Sequence, residues 1–457
     1  MNEMNTERKV ARVLPWMMLV MISASSLLNA FSIIPALLAH YFNVNAATMS
    51  WQTVVITLAM GVAGIVYATL ADYISIRRLM IVGLILMTAG LLLGFFFSHN
   101  LLLVIIASAL ATLGGQSANA LLLVTAVRYL SKEASDRYFG YYSACINAAQ
   151  LLGVLLGGFL TSWIGWRYLF IFPLISVVTI YFVLKYLPED SKLATQKLDV
   201  FGISLLTLFT FLLSLFFNQN SWTILALAIA VLIGLYFYIG HHANAFVSLD
   251  FFKNKRYTLA IILGGLVNSL LVAYPFMFSF LCASIYHTQP LQVSEILIPS
   301  YIVAILVATF ASNIAKLWGL ERTVLISLAL ILIGLLMDAA FLESGVWVLV
   351  VASSIFSGGM ALFSPQVQAL MFSALPADKV GVGSGIYGLV FSTSMSLGTA
   401  ITGTLLAAKW LHNPSIFPFL STTAVSFSNI LLLFIIWIIV TMTLTLSTRK
   451  ILFGGND

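Results

Sequence analysis

WQTVVITLAMGVAGIVYATLADYISIRRLM, from Trp51 to Met80, holds an uncharged apolar run, a short turn carrying Asp72, Arg77 and Arg78, and the start of a second apolar run. A helix rises about 1.5 Å per residue, so the stretch from Trp51 to Leu70 reaches roughly 30 Å, the thickness of a bilayer's hydrocarbon core. A turn this short returns the chain straight to the membrane. The same alternation fills the sequence: fourteen apolar runs begin near Val13, Trp51, Leu79, Leu101, Tyr138, Arg167, Val200, Trp222, Tyr257, Glu295, Thr323, Val346, Gly381 and Phe427. If the N-terminus is cytoplasmic, the inner segments collect Arg8, Lys9 and Arg12, then Arg77 and Arg78, then Arg128, Lys132 and Arg137, and so on to Arg449 and Lys450. Of 21 basic residues only Arg167 and Lys409 fall on the other side. Lys and Arg are retained on the cytoplasmic side during insertion, so this bias places both termini inside.

Composition agrees. The chain is 61% hydrophobic and 8% charged, with a mean hydropathy of +1.06, values that belong to a chain solvated mostly by lipid. Strong continuous runs are the pattern of helices and not of outer-membrane strands, so the expected fold is all-α and polytopic. The pI near 9.2 then reflects inner-loop Lys and Arg, not a nucleic-acid surface. Eight of nine tryptophans fall at run ends, where amphipathic rings sit at the headgroup level; Trp437 alone reads as buried in mid-span. The first run follows three basic residues but continues past signal-peptide length to Leu38, and is read as a retained helix.

Other classes are disfavoured. Cys145 and Cys282 lie inside runs and suggest neither a disulfide nor a metal site. All six histidines map to loops or run ends, leaving no intramembrane histidine for a metal or a base. No Gly-x-x-x-x-Gly-Lys loop is present, and the longest polar stretches are too short for a folded domain. No cofactor, enzymatic activity or obligate protein partner is expected; the expected partners are the lipid bilayer and a small-molecule substrate.

Asp72-Tyr-Ile-Ser75-Ile-Arg77-Arg78 after the second run is echoed at a constant offset by Lys316-Leu-Trp-Gly319-Leu-Glu321-Arg322 after the tenth, with the charges swapped. Asp136-Arg137-Tyr-Phe-Gly140 is similarly echoed by Asp378-Lys379-Val-Gly381. Duplicated halves are a common transporter plan. The expected organisation is a six-helix bundle over 1–187, a linker with two extra membrane helices over 188–256, and a second six-helix bundle over 257–457.

These residues resemble the fourteen-helix drug:proton antiporters of the major facilitator superfamily. Ala68-Thr-Leu70-Ala-Asp72-Tyr-Ile-Ser75-Ile-Arg77-Arg78 is similar to the superfamily signature G-x-L-x-D-x-x-G-x-R/K-R/K, with Ala68 and Ser75 in place of two glycines. Gly153-Val-Leu-Leu-Gly157-Gly158 resembles the antiporter signature G-P-x-x-G-G, with Val154 where proline is usual. Leu397-Gly398-Thr-Ala-Ile-Thr-Gly403 resembles another recurrent stretch. The resemblance covers essentially the whole chain and implies a multi-pass cell-membrane transporter, of bacterial type. It departs at two points: Ser108 stands where the family carries a buried arginine implicated in proton coupling, and the first run offers Asn29 where an acidic residue is frequent. Either protons couple through another group, or the chain is not a proton antiporter.

Candidate roles follow. Asp72 with Arg77, Arg78, Arg128 and Arg137 forms either a charge latch that makes and breaks as the halves rock or a solvated topology determinant. Gly153, Gly157 and Gly158, and Gly398 and Gly403, let helices approach closely. Ser108, Thr112, Gln116 and Asn119 lie three or four residues apart, on one face of the fourth run, and Ser143, Asn147 and Gln150 repeat this on the fifth. With Asn29, Asn268, Tyr274 and Gln366 they either line a substrate cavity or serve as interhelical hydrogen-bonded glue. Asp338 is the clearest acidic residue inside a run, a proton-coupling candidate unless it faces the outer interface; Glu295 is a weaker one. Amides, hydroxyls and aromatic faces without buried Arg or Lys suit export of hydrophobic or amphipathic compounds by alternating access. The alternatives are a proton-independent uniporter or importer of a neutral solute, and a non-transporting sensor. If the latch is real, Asp72→Asn abolishes transport while membrane insertion stays normal; full activity in a transport assay of that variant contradicts it.

Overall fold

The computed structural model describes residues 2–71, 73–189, 199–219, 221–242, 253–375, 380–412, 416–417 and 420–454. Asp72, Asp378 and Lys379 lie outside the described residues. Among those described there is no strand, and thirteen helices are long and apolar enough to cross a membrane. The first six are α1 (Asn2–Ile33), α2 (Ala46–Leu70), α3 (Ile76–Phe96), α4 (Leu101–Tyr129), α5 (Lys132–Trp163) and α6 (Trp166–Tyr186). Two more, α7 (Val200–Gln219) and α8 (Trp222–His241), precede α9 (Lys255–Ile285), α10 (Pro290–Trp318), α11 (Leu320–Phe341), α12 (Val346–Ser373), α13 (Val380–Leu406) and α14 (Thr422–Ser447), which a short α15 (Arg449–Phe453) follows. Of these fourteen long helices α7 is the one whose described apolar stretch, Ser204–Phe217, is shorter than a full span.

Helix starts follow local chemistry. Asn45, Ser75, Asn100, Asn254 and Ser421 each accept a hydrogen bond from a backbone N–H three residues on, satisfying a donor the first turn leaves unpaired. Pro290 opens α10 inside a capping box made by Gln289 and Gln292. Gly319, at φ +83°, turns α10 into α11 within one residue, a conformation disfavoured for any residue with a Cβ.

The two sets of six helices pack alike. In the first, α4 packs on α3 and on α2; in the second, α12 packs on α11 and on α10. The swapped loops also pair alike: Arg78 Nε donates to Glu189 Oε1 at 2.8 Å, after the sixth helix of its set, and Glu321 lies 3.9 Å from Arg449, after the sixth helix of the other. The positions are not equivalent, since Glu321 matches Arg77 and Arg78 matches Arg322, but in both sets the loop after the second helix is tied to the segment after the sixth. Arg78, one of four arginines the sequence offered to Asp72, is engaged with Glu189. Outside both sets, α7 packs on α8, α13 and α2, and α8 has only Ala228 and Leu235 buried among its described residues.

Contacts between the sets concentrate at the face remote from the termini. A Cβ on Gly158 would collide with Ser294 of α10, whose hydroxyl donates to the Val154 carbonyl at 2.8 Å, beside a π-helical turn at Leu156–Leu160. Leu291 N–H donates to Ser162 Oγ at 3.1 Å, and Ala36 N–H to Ser279 Oγ at 3.4 Å. Between α2 and α13, a Cβ on Gly403 would lie 2.6 Å from Ser50 Cβ and one on Gly61 2.7 Å from Ser392 Cβ. Toward the termini the contact loosens: Gly64 has nothing within 4 Å, and Gly385 meets Ile65 only at 4.0 Å. The sets are closed at one face and parted at the other.

Within sets, Gly153 lies against Asn29 and Ser26 of α1, Gly157 against Ala30, and Gly398 against the Ser269 carbonyl. Trp437 is not buried as its position suggested: it is 40% exposed, and its indole N–H donates to the Leu266 carbonyl at 2.8 Å, so the polar edge is satisfied while the ring stays in lipid. Overpacking such close approaches typically costs about 1–3 kcal/mol. Gly398→Ala is expected to lower the unfolding temperature in detergent, whereas Gly140→Ala and Gly234→Ala, at positions with nothing within 4 Å, leave it unchanged or higher.

Candidate functional site

Between Arg137 and Gln150, α5 shows two solvent-accessible faces. One is apolar, with Gly140, Tyr141, Ala144 and Ala148 exposed; the other carries exposed Ser143 and Ile146 with half-buried Asn147 and Gln150. A membrane helix at the rim of a closed bundle shows one such face, toward lipid. A second, polar face looks into the space between parted sets, because polar groups toward hydrocarbon lack partners.

Behind that face, α4 contributes its own polar stripe. Tyr142 donates to Asn119 Oδ1 at 2.8 Å, and Asn119 Nδ2 donates to Gln116 Oε1 at 2.9 Å, a chain that leaves its donor end on the Gln116 amide. Gln116 is buried, and Thr112 and Asn119 are half-buried. About 15 residues into α4, Gln116 lies near mid-helix, roughly 22 Å from either end. Deeper, Ser108 is fully buried; its hydroxyl donates to the Val104 carbonyl at 2.7 Å and accepts from Gln52 of α2 at 3.4 Å. A neutral serine–glutamine pair fills the position at which the resemblance implied an arginine.

The second set repeats the motif. Gln368 of α12 donates to the Tyr387 hydroxyl of α13 at 3.4 Å, and Tyr387 follows Tyr142 at an offset of 245 residues. In each set a phenol on the fifth helix meets an amide on the fourth. Ser364 donates to Asn268 Oδ1 at 3.4 Å, joining α12 to α9. Gln366 instead turns to α10, donating to the Ala311 carbonyl at 3.1 Å, and Asn29 donates to the Ser25 carbonyl of its own helix at 2.9 Å. Both sit as helix-packing groups.

Asp338 stands apart from these stripes. Although one turn from the end of α11, it has no exposed surface, so it lies in the bundle and not at the outer interface. The Tyr274 hydroxyl of α9 donates to its Oδ2 at 2.5 Å. Oδ1 is buried and has no hydrogen-bond partner among the described residues. Phe356 of α12 stacks on the Tyr274 ring at 4.1 Å. Such a carboxyl is costly to bury and is a functional candidate for that reason. Glu295 is exposed on α10 and belongs to no such cluster.

At the termini face, Arg128 Nη1 donates to the carbonyl of Ala71, the residue before Asp72, at 3.0 Å, while the Arg137 side chain is exposed. Among the described residues no group of three or more His, Cys, Asp or Glu could hold a metal ion. Gln52, Tyr142, Tyr387 and the Tyr274–Asp338 bond escape the sequence reading. A tyrosine in mid-span needs a hydroxyl partner, and that was the available signal.

The sequence profile of the Major Facilitator Superfamily matches residues 16–281. The riboflavin transporter RibZ of Clostridioides difficile (strain 630) is 22% identical over 387 residues, covering 82% of this chain and 84% of the relative. The quinolone resistance protein NorB of Staphylococcus aureus (strain MRSA252) is 25% identical over 403 residues, covering 84% and 85%. Among solved structures, that of the POT family transporter PepTSo matches with a TM-score of 0.72 at 12% identity, over 98% of this chain and 99% of that one, a likeness of fold alone. Thirteen apolar spans, two similarly packed sets of helices and a profile match over more than half the sequence agree: the chain belongs to the Major Facilitator Superfamily and is a transporter of the cell membrane, not an enzyme.

Proposed function

We propose that the chain exports flat, hydrophobic or amphipathic compounds from the cytoplasm by alternating access, with protons as the coupling ion. In this reading it has fourteen membrane helices, cytoplasmic termini, bundles over 1–187 and 257–457, and an intervening helix pair over 188–256. The observation that carries it is the polar but uncharged stripe of Ser143, Asn147 and Gln150 on the accessible side of α5, backed by the bonded Tyr142–Asn119–Gln116 chain. Amides and phenols hold the edges of a neutral or zwitterionic ring system, and the absence of Arg and Lys there disfavours phosphate esters and dicarboxylates. The names of two relatives point the same way, since riboflavin and the quinolones are built on fused planar rings.

The proton carrier in this reading is Asp338, with Tyr274 covering one oxygen and the other unpaired. It takes the role left vacant by Ser108 and Asn29. Gly158 and Gly403 act as close-contact surfaces on which the sets rock, Gly153, Gly157 and Gly398 fix helix approach within each set, and Asp72 with Arg128 is the latch at the termini face. The second reading, a proton-independent carrier of a neutral solute, rests on Ser108 and Gln52 forming a neutral pair.

In inside-out vesicles with a preformed proton gradient, a quinolone or riboflavin is expected to release protons. Asp338→Asn, which keeps the volume and the bond from Tyr274, abolishes that release while substrate exchange at zero gradient persists. Retained proton release in this variant overturns the assignment of Asp338, and transport without proton release selects the second reading. Replacing both Gln116 and Asn119 by Ala weakens substrate binding by at least about tenfold, the equivalent of one or two lost hydrogen bonds, read as a rise in the half-saturating concentration.

A further inference from the structure

A cavity of about 290 Å³ opens on the termini face of the second set, lined by Arg256, Trp318, Gly319, Leu320, Glu321, Arg322 and Phe453. The uncapped N-terminus of α11, at Leu320, opens beside it, whereas that of α9, at Lys255, is capped by Asn254. The first N–H groups of a helix lack intrahelical partners and, with the helix dipole, favour an anion.

Comparison with the other set sharpens this. There the turn into α3 carries Ser75, whose hydroxyl accepts from the Arg78 N–H at 3.4 Å. At the equivalent position α11 has Gly319, which supplies no capping side chain, and nothing stands within 4 Å of where its Cβ would be. Arg256 lines the cavity, and its Nε is buried with no hydrogen-bond partner among the described residues. A guanidinium N–H out of water without an acceptor is costly. Glu321, the one carboxylate in the lining, is drawn toward Arg449 at 3.9 Å, leaving Arg256 and Arg322 to face the cavity.

We propose that this cavity binds a phosphate oxyanion, supplied by the headgroup of an anionic phospholipid in the leaflet on the termini side. Lipid is favoured over a soluble anion because the rim is interfacial. Trp318 is 50% exposed and its neighbour Leu317 is 81% exposed, the placement of side chains that meet headgroups and acyl chains. A phosphodiester there accepts from the guanidinium groups of Arg256 and Arg322 and from the α11 N–H groups while its acyl chains run along α10. The inference is independent of what the protein transports.

The test is a lipid titration of the purified full-length protein in neutral detergent, read by thermal unfolding and by native mass spectrometry. Phosphatidylglycerol is expected to bind and stabilise, and phosphatidylcholine to do so far less. Arg256→Gln and Arg322→Gln each weaken phosphatidylglycerol binding by at least about fivefold, on the scale of one basic residue at an anionic surface. Lys9→Gln, which removes a charge elsewhere on the same face, leaves it unchanged. Arg322 is exposed, so its variant keeps the test intact if Arg256→Gln fails to fold. Equal binding of the two lipids, or unchanged binding in both arginine variants, overturns the proposal. Displacement of phosphatidylglycerol by millimolar inorganic phosphate overturns the lipid assignment and gives the site to a soluble anion.

Discussion

Hydrocarbon offers no partner to a backbone N–H or C=O, so every spanning segment closes its own hydrogen bonds as a helix and meets its neighbours side chain to side chain. Without a hydrophobic force between helices in lipid, tight association depends on small residues and a few interhelical hydrogen bonds. The contact between the two sets of six is built this way. Gly158 lies against Ser294, whose hydroxyl holds the Val154 carbonyl, and Gly403 and Gly61 bring α13 and α2 together. The glycines set the distance of approach, and the serine bond crosses beside a π-helical turn, a feature that bends a helix and exposes its carbonyls. A surface of small residues with few directed bonds lets two rigid sets rock without breaking a core.

From this geometry the functional groups sort by depth. The polar stripe on α5, backed by the bonded Tyr142–Asn119–Gln116 chain, faces the open side, while the Tyr274–Asp338 pair is sealed in the second set near the closed side. In the proposed reading, an uncharged stripe for solute and a separate buried carboxyl for the proton keep the two from competing for one group. Opening the closed face would bring water toward Asp338 and its unpaired oxygen.

The membrane plan was legible because it is local: a run of twenty apolar residues and the sign of the charges beside it decide each crossing. Polar stripes such as Gln116 and Asn119 were legible for the same reason, being set by helical spacing. Less legible were pairs between helices distant in sequence. Nothing near Asn119 announces Tyr142 as its donor, Ser108 does not reveal Gln52, and Arg78 finds Glu189 across 111 residues. Gln366 and Asn29 read as cavity residues but spend their amides on neighbouring backbone. Hydrophobicity alone also misplaced Trp437, whose N–H reaches Leu266 from an exposed position.

The central claim is that the two sets are held at the face remote from the termini and parted at the other, and exchange these states to move solute. Spin labels at Tyr141 and Phe310, both exposed on the termini side of α5 and α10, report the opening directly by pulsed electron resonance in lipid nanodiscs. The account predicts a long, broad distance for the protein alone and a second, shorter population when substrate is added at low pH. A single distance that no substrate or pH changes contradicts it.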